Sequence, residues 1–194
     1  MGGRTAVIRR ETRETSISLS LNLDGSGVSN IATGIGFLDH LLTALATHAR
    51  FDLEVSCRGD LHIDDHHSAE DCGLALGMAL DHALGERRGI ARFGSAYAPL
   101  DEALSRAVVD LSGRPFASVE LGLVRPSIGT LACENIGHVI SSLAMKARAC
   151  IHVDVIKGIN DHHKAESSFK ALALALRDAV RITGTEVPST KGAL

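Results

Sequence analysis

Polar and apolar residues alternate along two stretches of the chain, and each stretch predicts a β-strand. Residues 15–23 carry apolar side chains at every second position and end at an Asp-Gly turn. A weaker counterpart at residues 106–111 ends at Ser-Gly. Alternation with a period of two is typical of a strand that buries one face, so both stretches are expected to line the core.

The segments between these strands follow helical or short apolar patterns. Two of them are rich in Ala and Leu and apolar on nearly every side, which predicts helices that are buried on most sides. The predicted helices cover residues 38–48, 68–84, 135–148 and 165–182, and two more predicted strands cover residues 51–56 and 150–156. Mostly antiparallel strands with helices on one face predict an α+β fold, in which two sheets enclose a layer of four helices.

The chain repeats itself at an offset of about half its length. Residues 65–84 match residues 161–180 at ten of twenty positions, and both segments contain the motif Asp-His-His-x-Ala-Glu. An eleven-residue segment that begins at His40 matches another, 98 residues later, at five positions. We therefore predict a tandem duplication, with repeat halves at 1–95 and 96–194 that together form one compact domain.

The repeated motif places two histidines and a glutamate at the start of a predicted helix. Positions i, i+3 and i+4 share a helical face, whereas adjacent histidines point about 100° apart and are better suited to two ions than to one. Divided evenly, each of two ions would receive three imidazoles and one carboxylate, a donor set that suits Zn, Mn, Fe, Co or Ni. The predicted metal ligands are His40, His66, His67, Glu70, His138, His162, His163 and Glu166.

Composition narrows the class of protein further. The 20 basic residues are outnumbered by 23 acidic ones, so the net charge of −3 argues against a general nucleic-acid binder. No apolar run reaches the roughly 20 residues that a membrane span needs, and the first residues do not resemble a signal peptide. We therefore expect no membrane partner and a cytoplasmic location.

The motifs resemble those of the imidazoleglycerol-phosphate dehydratase family of histidine biosynthesis, over nearly the whole chain. The segments that carry the resemblance are residues 13–15, 22–25, 36–40, 64–71, 94–97, 101–104, 110–115, 161–170 and 188–192. The resemblance implies a ribosomal protein S5 domain 2-like fold and two Mn²⁺ ions per active site, with other divalent metals as alternatives. It also implies active sites completed between subunits, in trimers that assemble into a 24-subunit shell.

The resemblance further implies the reaction and the roles of individual residues. The reaction is the dehydration of D-erythro-imidazoleglycerol phosphate to imidazole-acetol phosphate. Glu14 would contact the substrate as the catalytic base, and Glu70 or Glu166 could also move protons while they bind metal. The implied phosphate ligands are Arg92, Arg114, Lys170, Ser189 and Lys191.

The chemistry of this reaction explains why two metal ions would be needed. The hydrogen to be removed is not next to a carbonyl, so the imidazole ring must hold the electrons, and two Mn²⁺ ions on its nitrogens would stabilise an imidazolate. Two other classes use the same ligands and stay open at this point. One is a dinuclear hydrolase or oxidase, and the other is a metal-storage shell without catalytic activity.

Overall fold

The fold is that of a computed structural model, which describes residues 3–190 and residue 192. Within these residues the chain forms ten strands and four helices. None of the four helices in this described part is both long and apolar enough to cross a membrane.

The first half of the chain forms a four-stranded sheet and two helices. Its strands are β1 (Thr5–Glu11), β2 (Thr15–Asn22), β3 (Ser29–Ala32) and β4 (Asp52–Gly59), and its helices are α1 (Gly36–Ala49) and α2 (His66–Leu84). The strand order is β1-β2-β4-β3, with β3 parallel to β4 and the other neighbours antiparallel.

The second half repeats this arrangement in the same order. Its elements are β5 (Phe93–Leu100), β6 (Ala103–Asp110), β7 (Phe116–Glu120), a short ribbon of β8 (Ser127–Ile128) and β9 (Leu131–Ala132), α3 (Cys133–Lys146), β10 (Cys150–Lys157) and α4 (Asp161–Val180). The sheet order is β5-β6-β10-β7, again with one parallel edge strand, β7. The division into halves 1–95 and 96–194 stays a proposal, and β5, which begins at Phe93, belongs as a whole to the second sheet.

The helices lie between the two sheets and pair across the halves. Strand β2 buries Ile17, Leu19 and Leu21 at alternate positions against α2, as its pattern predicts. Helix α2 packs on α3, and α1 packs on α4, so each helix pair takes one member from each half. The predicted α+β architecture of two sheets around a helical layer is therefore confirmed.

The sequence pattern missed the outer strands and misplaced some helix ends. The pattern did not predict the four edge strands β1, β3, β5 and β7, of which β3 and β7 are short and contain no fully buried residue. Helix α4 begins four residues before the predicted start at residue 165, because the side chain of Asn160 accepts a hydrogen bond from the His162 N–H and caps it. The helix ends at Val180, and Ile182 instead forms an isolated β-bridge with Ile90.

Candidate metal centre

The first cluster of candidate ligands joins α1 to α4 and consists of His40, His162 and Glu166; we name it the His40 cluster. One ligand atom from each of the three lies within 4.8 Å of the others. The Glu166 Oε2 atom is 2.9 Å from His40 Nε2 and 3.2 Å from His162 Nε2. The pairing of α1 with α4 thus brings together residues that are more than 120 positions apart in the sequence.

The second cluster joins α2 to α3 and consists of His66, Glu70 and His138; we name it the His66 cluster. Its ligand atoms also lie within 4.8 Å of one another. The imidazole rings of His66 and His138 stack with their centroids 5.0 Å apart, and the His138 Nε2 atom lies 3.4 Å from Glu70 Oε1. The two clusters are related by the sequence repeat, since each has one histidine from α1 or α3 and a His/Glu pair from α4 or α2.

The donor atoms fit a divalent cation. His138 Nε2 is buried, and no described residue forms a hydrogen bond with it, although a carboxylate oxygen lies nearby. A buried polar nitrogen without a partner is costly unless something binds it. Imidazole and carboxylate together are ligands that suit Mn, Fe, Co, Ni or Zn.

The remaining histidines of the two motifs, His67 and His163, do not belong to these two clusters and are held by other carboxylates. His67 Nδ1 lies 3.0 Å from Asp60 Oδ2, and His163 Nδ1 lies 2.7 Å from Glu102 Oε2. These hydrogen bonds raise the pKa of both histidines. A histidine whose Nδ1 is fixed by a carboxylate presents Nε2 as a ligand atom.

Glu102 is itself anchored by the backbone in front of α4. It accepts hydrogen bonds from the N–H groups of Asn160 and Ile159, at 2.8 and 3.1 Å. The Asn160 N–H, the His163 ring and the Ile159 N–H together lower the pKa of Glu102 to about 2.

Lys170 lies one helical turn after Glu166 and contacts it directly. Its Nζ atom is 2.6 Å from Glu166 Oε1. Burial works to raise the pKa of Glu166, but the hydrogen bonds from Lys170 and His40 outweigh it and lower the pKa to about 2. The His40 cluster therefore already contains a protein cation.

Glu14 lies in the turn between β1 and β2, with its side chain about half exposed (51%). The hydroxyl of Thr12 accepts hydrogen bonds from the Glu14 and Thr15 N–H groups and shapes this turn. The turn is also tied to α2, because the buried carboxylate of Asp71 accepts hydrogen bonds from Arg10 and from the Thr15 hydroxyl. The Glu14 Oε1 atom consequently lies 3.6 Å from Nε2 of His67 on α2.

The candidate phosphate ligands fall into two groups. The Arg92 guanidinium donates to Asp110 at 2.7 and 3.1 Å and to the Pro188 carbonyl at 2.9 Å, next to Ser189. Arg114, whose side chain is 69% exposed, lies 3.9 Å from the same Asp110. Lys170 instead lies at the His40 cluster, and Lys191 is outside the described residues.

Three residues with contacts in the site had no assigned role in the sequence analysis: Asp60, Glu102 and Asn135. Glu102 reaches His163 from a turn 61 residues away, and Asp60 reaches His67 from seven residues away across a loop, so helical spacing gives no signal for either. Asn135 hydrogen-bonds His66 and stands three residues before His138 on α3. Since residues three apart share a helical face, this signal was present in the sequence.

Comparisons with known proteins show the family to which the chain belongs. The family model described as imidazoleglycerol-phosphate dehydratase matches residues 33–176. An imidazoleglycerol-phosphate dehydratase of Phytophthora nicotianae is 62% identical over the whole of this chain, which spans 43% of that relative's length. The enzyme of that name from Scheffersomyces stipitis is 55% identical, and the match covers 98% of this chain and 99% of the relative.

Solved structures are similar over nearly their full length. The imidazoleglycerol-phosphate dehydratase of Staphylococcus aureus superposes with a TM-score of 0.84 at 35% identity, covering 92% of this chain and 99% of that one. A structure from Pyrococcus furiosus, in complex with (S)-C348, gives a TM-score of 0.84 at 37% identity, covering 96% and 100% of the two chains.

Proposed function

The chain belongs to the imidazoleglycerol-phosphate dehydratase family, and we propose that it converts D-erythro-imidazoleglycerol phosphate to imidazole-acetol phosphate and water. This reaction would make it a hydro-lyase of histidine biosynthesis, and the cytoplasmic location stays a prediction. The observation that carries the proposal is the pair of His/Glu clusters built at equivalent positions of the repeat.

We propose that the active site uses two Mn²⁺ ions, for which the ligand types of both clusters are suitable. When bound, the two ions would supply positive charge that stabilises electrons held on the imidazole ring of the substrate. Glu70 and Glu166 would hold the ions as carboxylate ligands, beside the histidines of their clusters.

Each cluster offers two imidazoles and one carboxylate within one copy of the chain, and we propose that a second copy adds the third imidazole. His67 and His163 are suited to this role, because Asp60 and Glu102 fix their Nδ1 atoms and leave Nε2 as the ligand atom. This is the chemical reason to expect self-association, for which trimers within a 24-subunit shell stay the prediction.

Glu14 is proposed as the base that removes the carbon-bound proton. A general base must reach its proton within hydrogen-bond distance and must hold it once transferred. The Glu14 carboxylate is half exposed and lies 3.6 Å from a predicted metal ligand, His67, which supports a role for it beside a bound substrate. The anchoring of its turn through Asp71 limits how far the carboxylate can move.

The phosphate group is proposed to bind among Arg92, Arg114, Lys170, Ser189 and Lys191. Arginine contacts phosphate in a bidentate manner, and lysine supplies a point charge. Arg92 also holds the Pro188 carbonyl, so it positions the segment that carries Ser189. Because Lys170 lies apart from the two arginines, at the His40 cluster, we propose that the phosphate site is completed by residues of more than one copy.

The test is a turnover assay on the metal-free full-length chain, before and after anaerobic addition of Mn²⁺. We expect about two ions per chain and a ketone product that forms only when Mn²⁺ is present. Two bound ions without turnover would contradict the dehydratase activity, and ester or phosphate release would favour a hydrolase. Many ions per chain without turnover would favour a storage protein.

A further inference from the structure

Asn135 and Phe37 occupy equivalent positions in the two halves. Each stands three residues before the histidine that its helix contributes to a metal cluster. Residues three apart share a helical face, so each of the two side chains points toward the facing helix. On that facing helix, each side chain contacts the first histidine of the repeated motif. Asn135 contacts His66, and Phe37 contacts His162.

Asn135 fixes both the orientation and the tautomer of its histidine. Its side chain is almost fully buried, with 3% exposed, and its Oδ1 atom lies 3.0 Å from His66 Nδ1. An amide oxygen can only accept, so the proton sits on Nδ1 and the lone pair stays on Nε2. His66 is thereby prepared to bind a cation through Nε2 before any ion arrives.

At the His40 cluster the equivalent position is aromatic. The Phe37 ring packs against the His162 ring with centroids 4.9 Å apart and a tilt of 57°. A phenyl ring holds the imidazole plane but has no lone pair to accept its N–H. Which nitrogen of His162 carries the proton is therefore not set by this neighbour.

A second difference between the clusters also favours cation binding at the His66 cluster. Lys170 stands four residues after Glu166 and forms a 2.6 Å ion pair with it. The equivalent position, four residues after Glu70, is Leu74. A divalent cation at the His40 cluster must share Glu166 with an ammonium group, whereas one at the His66 cluster meets no such competitor on α2.

We propose that the two clusters bind divalent cations with unequal strength, and that Asn135 is the positioning residue that makes the His66 cluster the tighter one. The inference rests on the metal use proposed above. Partners that orient a ligating histidine are worth about 10- to 100-fold in metal affinity. The His66 cluster should therefore keep its ion under conditions in which the His40 cluster exchanges it.

The experiment is a Mn²⁺ titration of the metal-free full-length chain, with free Mn²⁺ followed by electron paramagnetic resonance. We expect two classes of site with dissociation constants at least about 10-fold apart. Asn135→Leu should weaken the tighter class by about 10- to 100-fold, while Asn135→Asp, which keeps an acceptor oxygen, should restore most of the affinity. Ser141→Ala removes a hydrogen bond elsewhere on α3 and should change neither class.

Two further variants assign the classes to the clusters. His40→Ala should retain the tight class, and His138→Ala should retain the weak one, with thermal unfolding in chelator used to confirm that both fold. Equal affinities in the wild type, or loss of the tight class in His40→Ala, would overturn this inference alone. Absence of bound Mn²⁺ in the wild type would overturn it together with the proposed metal use.

Discussion

The hairpins of the two halves each carry a glutamate beside the paired histidines, yet the two glutamates have different surroundings. Glu102, in the β5–β6 turn, accepts hydrogen bonds from two backbone N–H groups and from His163. Glu14, in the β1–β2 turn, stays half exposed, and Asp60 at the end of β4 holds His67 instead. Duplication thus lets one copy of a carboxylate become structural while the other stays free for chemistry.

The largest expected effect separates these two glutamates. Glu14→Gln should lower kcat by about 10²- to 10⁴-fold, because the base is lost while its shape is kept. Mn²⁺ content and assembly should not change. Glu102→Gln should instead weaken Mn²⁺ binding, since the partner of His163 is altered, and its kcat at saturating Mn²⁺ should fall far less. Steady-state kinetics with metal analysis checks both variants, and normal turnover in Glu14→Gln would refute its role.

The next largest effect concerns His67 and His163, which are held by Asp60 and Glu102. His67→Ala or His163→Ala should lose Mn²⁺ and destabilise the assembly, because each removes a proposed ligand supplied to a second copy. Metal analysis and size-exclusion chromatography measure the two losses. Replacing His152, which lies on a sheet and packs against Phe116, by Ala serves as the control. Unchanged metal content in the His67 variant would remove it from the ligand set.

The third prediction compares Asp71, which anchors the Glu14 turn, with the equivalent residue of the second half. Asp71→Asn weakens the hold on Arg10 and Thr15, and should cost about 1–3 kcal/mol of unfolding free energy because buried polar groups lose partners. Its kcat should fall by about 10-fold through misplacement of Glu14. The equivalent residue, Ser167, bonds only hydroxyl and carbonyl groups, so Ser167→Ala should leave kcat nearly unchanged. Equal kcat values for the two variants would contradict the positioning role.

The helix pairs differ in how closely their backbones approach. A Cβ atom on Gly77 of α2 would lie 2.5 Å from the Leu143 carbonyl oxygen of α3, whereas the equivalent residue of α4 is Ala173. Gly77→Ala should therefore destabilise the fold by about 1–2 kcal/mol, since overpacking exceeds the gain in helix propensity. Urea denaturation measures the change. A Gly77→Ala variant that is more stable than the wild type would show that α2 and α3 can move apart without strain.

The features that could be predicted from the sequence are those that depend on local spacing, and those that depend on how distant elements pack could not. The repeat and its histidines follow from local spacing, and so the ligand types and the four helices were accessible. The partition into two clusters was not, because it depends on α1 packing against α4 rather than against α2. Likewise, Asp60 reaches His67 through the path of a loop, which no periodicity encodes.

The smallest expected effect is the pH dependence of stability that Asp52 contributes in the first half. Asp52 accepts hydrogen bonds from the N–H groups of Ser26, Val28 and Gly27, which lower its pKa, whereas the equivalent residue in the second half is Cys150. Its contribution is present above the unfolded pKa of about 3.9 and is lost as the pH falls through the lower folded value.

Thermal unfolding of metal-free protein tests this contribution. The Tm difference between wild type and Asp52→Asn should be largest above about pH 5 and should shrink toward about pH 2. Asp154→Asn, on β10 of the second sheet, removes a half-buried partner of Arg106 and provides the comparison. A Tm difference for Asp52→Asn that does not vary with pH would exclude the ionised carboxylate as its cause.

Each candidate metal cluster takes its histidines from both halves of the chain. One half alone carries ligands for both clusters but completes neither of them. A half-length ancestor could have built such a centre only as a two-fold symmetric pair, with two identical sites at its interface. Fusion of the two genes would then have removed the symmetry constraint, so that an asparagine could arise at one site while a phenylalanine occupied the other.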